Sequence, residues 1–184
     1  MPTSIPTNYI KKHQEAQNTP PSLIHKALKR RFGSSYVRFS YVTDRDSQKA
    51  GIDILAIMAD GAAVPVELKT LKTDPLSAWG RDELPLELAS CVERGTRGFL
   101  SQGGKRTKFV LFLFRDSGRS VCVAFRALAA VFRRCSDQWA CRFQTATQTT
   151  HGFYETYHSR CVFVPVAEIR MEIHRYMRSY AVRG

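Results

Sequence analysis

Apolar and polar positions divide the chain into segments of different period. Residues 1–20 are polar and rich in Thr, Pro, Asn and Gln, which predicts a mobile or loosely docked N-terminal segment. From Pro21 the period becomes helical. Leu23 and Ala27, with Ile24, Leu28 and Phe32, recur at three- and four-residue spacing, and Gly33 follows as a stop. Residues 36–43 (YVRFSYVT) carry the aromatic and β-branched content of a strand, and 44–50 (DRDSQKA) read as a loop. Two apolar runs follow, Ile52–Met58 and Val64–Leu68, joined by a turn at Asp60-Gly61. Pro65 argues against a central position for the second run, because proline cannot donate to a ladder. Leu84–Ala89, Phe109–Phe114 and Val121–Phe125 read as further strands, with a turn at 116–119. The run FVLFLF is apolar on both faces and predicts a buried strand. Residues 126–134 read as helix, 161–164 as a late strand and 166–180 as a closing helix. This order predicts an α/β fold, a mixed β-sheet flanked by helices, in a single domain over 21–184 with its core at about 21–125.

Composition narrows the function. Hydrophobic residues make up 43% of 184, enough for a packed core and too many for a disordered chain. No apolar run approaches the roughly 18 residues a membrane-spanning helix needs, and the start, MPTSIPTNYIKK, lacks a signal-peptide core. A cytoplasmic protein with no membrane partner is the expectation. Lys and Arg number 28 against 16 Asp and Glu, a formal charge of +12. That excess favours a polyanion, nucleic acid before an anionic membrane, because neutralised phosphates release counterions. The five cysteines are odd in number and contain no CxxC pair, which fits reduced thiols. Cys135, Cys141, His151, His158 and Cys161 match no common zinc spacing. There is no phosphate-binding Gly-x-x-x-x-Gly-Lys loop and no nucleophile elbow.

Candidate chemistry concentrates in residues 51–70, GIDILAIMADGAAVPVELKT, where acidic residues interrupt apolar strands. Glu67 and Lys69 are two apart and share a strand face, with Val66 and Leu68 on the other. If Asp53 stands opposite Glu67, the hairpin is centred on residue 60; if it stands opposite Lys69, on residue 61. Both positions fall in the Asp60-Gly61 turn, so Asp53, Glu67 and Lys69 can converge. Two carboxylates and the Leu68 carbonyl are hard oxygen donors suited to Mg²⁺, and a lysine beside them can serve a nucleophilic water or an anionic transition state. The plainer alternative makes Asp53 a strand-end cap or a partner of Lys49, and makes Glu67 and Lys69 an ion pair on a solvated edge.

The pairing of Gly51-Ile52-Asp53 with Glu67-Leu68-Lys69 resembles the PD-(D/E)XK nuclease superfamily, which includes restriction endonucleases, Holliday-junction resolvases and phage exonucleases. The likeness is specific over residues 21–70 and looser over 84–125, which is compatible with phage-type members. It implies a restriction-endonuclease-like fold and a Mg²⁺-dependent (or Mn²⁺-dependent) DNA endonuclease. Asp53, Glu67 and Lys69 would be catalytic, and Asp53, Glu67 and Leu68 would hold the metal. The sequence departs from the family pattern in two places. Ile52-Asp53 replaces Pro-Asp, and the first helix has no acidic residue, leaving His25 as its candidate and Glu15 upstream. The expected DNA contacts are Lys26, Lys29, Arg30, Lys72, Lys105, Arg106 and Lys108. Glu87 reads as a surface residue before one that approaches the site from a neighbouring strand, and Trp79 and Trp139 read as packing residues before base-stacking ones. The rival readings are a nucleic-acid-binding module without cleavage and a nuclease subunit of a larger complex. A homodimer stays open.

Overall fold

The computed structural model describes residues 19–151 and 156–181. The protein is mixed α/β, with two sheets and, among the described residues, five helices. Its contacts divide the described residues into two compact units, those up to 74 with 104–123, and 75–103 with those from 124 on. The chain leaves the first unit after Asp74, builds part of the second, and returns at Gly104.

In the first unit, helix α1 (Pro21–Phe32) precedes strands β1 (Tyr36–Tyr41), β2 (Ile54–Met58) and β3 (Ala63–Leu71). These three form an antiparallel meander. Pro21 suits the first helical turn, where its missing N–H costs nothing. Gly33, at φ 62°, ends the helix. The segment 44–50, expected as loop, contains a one-turn helix, α2 (Arg45–Lys49). Its cap is Asp44, whose Oδ1 accepts from the Ser47 N–H at 2.8 Å. That bond holds the Asp44 carboxyl below the usual carboxylate range.

The later strands of this unit are β6 (Phe109–Phe114) and β7 (Ser120–Ala124). The sheet order is β1-β2-β3-β6-β7, with β6 parallel to β3, Val66 opposite Phe109 through Leu71 opposite Phe114. A parallel pair needs a long crossover, and here residues 75–103 of the second unit are part of it. Ile24, Ala27 and Leu28 of α1 pack with Ile54, Ala56, Val66, Leu68, Leu111 and Leu113 in one core cluster. Each fully buried Leu or Ile there contributes about 1.5–3 kcal/mol.

Pro65 does lie in this sheet, without breaking a ladder. In a strand, the N and C=O of one residue point to the same edge. The Pro65 carbonyl accepts from the Lys108 N–H at 2.9 Å, on the β6 side and just before the parallel ladder begins. The absent N–H therefore faces a place where no ladder bond is needed.

In the second unit, a short helix α3 (Pro75–Trp79) leads into β4 (Glu83–Cys91) and β5 (Thr96–Arg97). Helix α4 (Phe125–Arg142), β8 (Thr145–His151), β9 (Thr156–Pro165) and helix α5 (Val166–Ala181) follow. The sheet is antiparallel in the order β5-β4-β9-β8. Helix α4 runs past the expected end at residue 134, because Val131, Cys135 and Trp139 continue its buried stripe at four-residue spacing. Strand β8 (TATQTTH) has no apolar alternation to announce it. It exists through its ladder with β9, Thr145 opposite Val162 to His151 opposite Thr156. No helix among the described residues is long and apolar enough to cross a membrane.

Candidate active site

Asp53 stands at the mouth of the β2–β3 hairpin. Ile54 pairs with Val66 and Leu55 with Pro65, a register that carries Asp53 opposite Glu67 and centres the turn on residue 60. The turn is held by the Ala62 N–H on Asp60 Oδ1 (2.9 Å) and the Met58 N–H on the Ala62 carbonyl (2.9 Å), with Gly61 at φ 83°. The backbone of Asp53 is fixed on both sides. Its carbonyl accepts from the Val42 N–H (2.9 Å), and its N–H donates to the Val66 carbonyl (3.1 Å). Its carboxylate then reaches along β3, where Oδ2 accepts from the Leu68 N–H at 2.7 Å.

That last bond also orients Leu68. Alternate residues of β3 turn their peptide groups to opposite edges, and the Pro65 and Leu71 carbonyls accept from the Lys108 and Arg115 N–H groups on the β6 side. Leu68 has the opposite parity, so its carbonyl looks to the same edge as its N–H, the edge of Asp53.

Glu67 and Lys69 project from the face of β3 opposite to Leu68. Lys69 Nζ lies 2.6 Å from Glu67 Oε1. β3 is the middle strand of five, and Glu67 is only 8% exposed. A solvated-edge pair therefore does not describe it. Burial raises the stakes of the charge, since a carboxylate removed from water needs a cation or several donors.

Gly51 closes the floor of this site. Its φ is 77°, and a Cβ there would lie 3.1 Å from Glu67 Oε2 and 3.2 Å from Lys105 Cδ. Lys105 thus runs beside Glu67, and its Nζ donates to the Lys49 carbonyl at 3.1 Å. The loop carrying it is stitched down by the Arg106 N–H on the Ala50 carbonyl (2.8 Å) and by the Lys108 N–H on the Pro65 carbonyl. The Thr107 hydroxyl adds a bond to the Pro65 carbonyl at 3.2 Å. Gly51→Ala is expected to cost about 1–2 kcal/mol from the left-handed backbone alone and to press on the Glu67 carboxylate. A urea titration read beside a Mg²⁺ titration checks both. An unchanged midpoint would mean that the loop relaxes around the methyl group.

The residues expected from the sequence separate into those gathered here and those elsewhere. Asp53, Glu67, Leu68 and Lys69 come together, and Lys105, expected as a DNA-backbone contact, joins them half-buried. Arg106 and Lys108 are exposed on the same loop, and Lys72 is exposed just beyond β3. Lys26, Lys29 and Arg30 are exposed on α1. That helix packs against the Val66 and Leu68 face, so the sheet lies between it and the Glu67 and Lys69 side chains. His25 meets the Tyr36 hydroxyl at 3.2 Å through Nδ1 and stays on the α1 side. Glu15 lies outside the described residues. Glu87 is on β4 of the other sheet, with Oε2 accepting from the Phe99 N–H at 3.2 Å, so it does not lie on a strand hydrogen-bonded to β3.

Two contacts carry no local signal in the sequence. Lys105 at Glu67 depends on a loop distant in sequence, and nothing local signals it. Arg31 lies 4.8 Å over the Phe109 ring, linking α1 to β6. Among the described residues no three His, Cys, Asp or Glu side chains gather as a metal cluster. The candidate donors are two carboxylates and a peptide oxygen, all hard ligands of the kind Mg²⁺ takes. No protein-family model, curated protein or solved structure matches the chain.

Proposed function

We propose that the protein is a metal-dependent deoxyribonuclease with a PD-(D/E)XK site on a restriction-endonuclease-like sheet, acting as an endonuclease. The carrying observation is the paired anchoring of the acids. Asp53 is held by the Leu68 N–H, and Glu67, buried in the central strand, is held by Lys69. Asp53, Glu67 and the Leu68 carbonyl would hold Mg²⁺, with Mn²⁺ as a substitute. When bound, the metal supplies an acidified water and neutralises phosphate charge. The protein's own groups do the rest. Glu67 keeps the Lys69 ammonium at the site, where it orients the attacking water and stabilises charge building on the phosphate. The water oxygen bonds to phosphorus, giving up a proton to solvent, as the P–O bond to the leaving nucleotide breaks and the leaving oxygen takes a proton from solvent.

The partner is DNA, which suits the +12 charge. Incubating plasmid, linear duplex, single-stranded and four-way-junction DNA with Mg²⁺, Mn²⁺ or EDTA tests the reading. Cutting in metal and none in EDTA is the expected result. One observation favours a second reading, a nucleic-acid-binding module without cleavage: Glu67 already has a cation at 2.6 Å. DNA bound equally in Mg²⁺ and EDTA, with no cutting of any substrate, would establish that alternative.

The exposed cations of α1 have a separate test. Replacing Lys26, Lys29 and Arg30 together with Gln is expected to flatten the plot of log affinity against log salt by about 2–3 units. An unchanged slope would remove that helix from the DNA footprint.

A further inference from the structure

The two tryptophans occupy opposite environments. Trp139 is fully buried, on the core side of α4, while Trp79 is 59% exposed at the end of α3. The exposed indole is not on a loose tail. The Gly80 N–H donates to the Leu76 carbonyl at 3.0 Å, and the Arg81 N–H to the Pro75 carbonyl at 3.2 Å, which closes the helix end beneath it. Gly80, at φ 68°, turns the chain so that Arg81 comes back over Trp79. Its guanidinium carbon is 5.5 Å from the ring centroid. That guanidinium is itself pinned, with Nη1 donating to Gln144 Oε1 at 2.7 Å and Nε lying 3.5 Å from Glu83 Oε2.

We infer that Trp79 and Arg81 form a stacking platform for an unpaired nucleobase, so that the DNA recognised by this protein contains a single-stranded stretch. This rests on the nucleic-acid reading above and narrows its substrate class. An exposed indole offers a π-face that any base can cover, with no need for a particular sequence. A base inside a duplex has both faces covered by its neighbours, so only an unpaired or extruded base can stack. The adjacent guanidinium, held by Gln144 and Glu83, keeps the indole in place for the stacked base. The charge of +12 favours a polyanion over a neutral protein surface as the occupant.

Because Trp139 is the only other indole, intrinsic fluorescence reports the platform directly. Full-length protein in EDTA, where no cleavage occurs, is titrated with an oligothymidylate and with a blunt duplex of equal length. The expected result is quenching of the solvent-exposed emission by the single strand, absent in Trp79→Phe. Trp79→Ala is expected to weaken single-strand binding about tenfold and duplex binding less than twofold. Arg81→Gln should weaken the single strand in the same direction. Trp79 is exposed, so a matching urea midpoint will show that the variants fold. Normal DNA binding with a silent Trp79 overturns this inference alone. No binding of either DNA overturns the nucleic-acid reading with it. A Trp79 emission shift that follows protein concentration without DNA would assign the surface to a second copy of the chain and overturn the platform.

Discussion

Under the proposed nuclease function, Lys69→Met should slow DNA cleavage about a hundredfold to a thousandfold, the range for losing one preorganised group at a transition state, while Mg²⁺ binding survives or tightens. Lys69 Nζ is 2.6 Å from Glu67 Oε1, so its removal lifts a competing cation from a proposed metal ligand. Asp53→Asn should act in the opposite sense on the metal. It retains an oxygen for the Leu68 N–H but halves the carboxylate charge available, so both metal binding and cleavage fall. Calorimetric Mg²⁺ titration beside single-turnover cleavage separates the two. Loss of metal binding in both variants would make Lys69 a structural counter-charge and not an agent of the chemistry. Lys69→Met also leaves the buried Glu67 with one cation fewer. Lys69 is 22% exposed at the side chain, so a cost of about 1–2 kcal/mol is reasonable once solvent screening is allowed for. A urea midpoint measured in parallel keeps that effect apart from the kinetic one.

Asp74→Ala is expected to be the most destabilising single change in the first unit, by about 3–5 kcal/mol. Asp74 is 1% exposed and receives the Arg119 guanidinium, Nε at 2.9 Å from both oxygens and Nη2 at 2.7 Å from Oδ1. The Ser117 hydroxyl donates to its Oδ2 at 2.8 Å, and its own N–H donates to the Asp116 carboxylate at 3.0 Å. Arg119 also lies 4.4 Å over the Phe114 ring. The network ties the exit of β3 to the β6–β7 turn at the point where the chain leaves the unit. Removing Asp74 strands a mostly buried guanidinium, a loss that is a large part of an ordinary folding free energy of about 5–15 kcal/mol. Equilibrium unfolding in urea with an unchanged slope checks it. A shift below about 1 kcal/mol would mean that Arg119 swings to solvent at little cost.

The candidate site was legible because its chemistry sits inside one hairpin. Glu67 and Lys69 are two apart on a strand, and the Asp60-Gly61 turn sets the register that brings Asp53 opposite. Those are local relations, and local periodicity reports them. Strand β8 was not legible, because Thr and Gln at an edge carry no burial signal and pairing alone makes the strand. Helix α2 was missed because five polar residues show no apolar stripe; only the Asp44 cap gives it away.

From the sequence alone came the helix and strands of residues 21–71, the apolar β6, the basic charge and the Asp53, Glu67 and Lys69 set. Each follows from spacing or turn chemistry within a short window. Tertiary structure decided the rest. It made β3 a central strand, which buries Glu67 and turns an ordinary-looking charge into a costly one. It brought Lys105 to Gly51 and Glu67 from a remote loop. It sent the crossover between β3 and β6 through a second unit, and it left Trp79 exposed while burying Trp139. The physical reason is common to all four. Burial and non-local pairing depend on which segments meet, and segments far apart in the chain leave no periodic trace of that meeting.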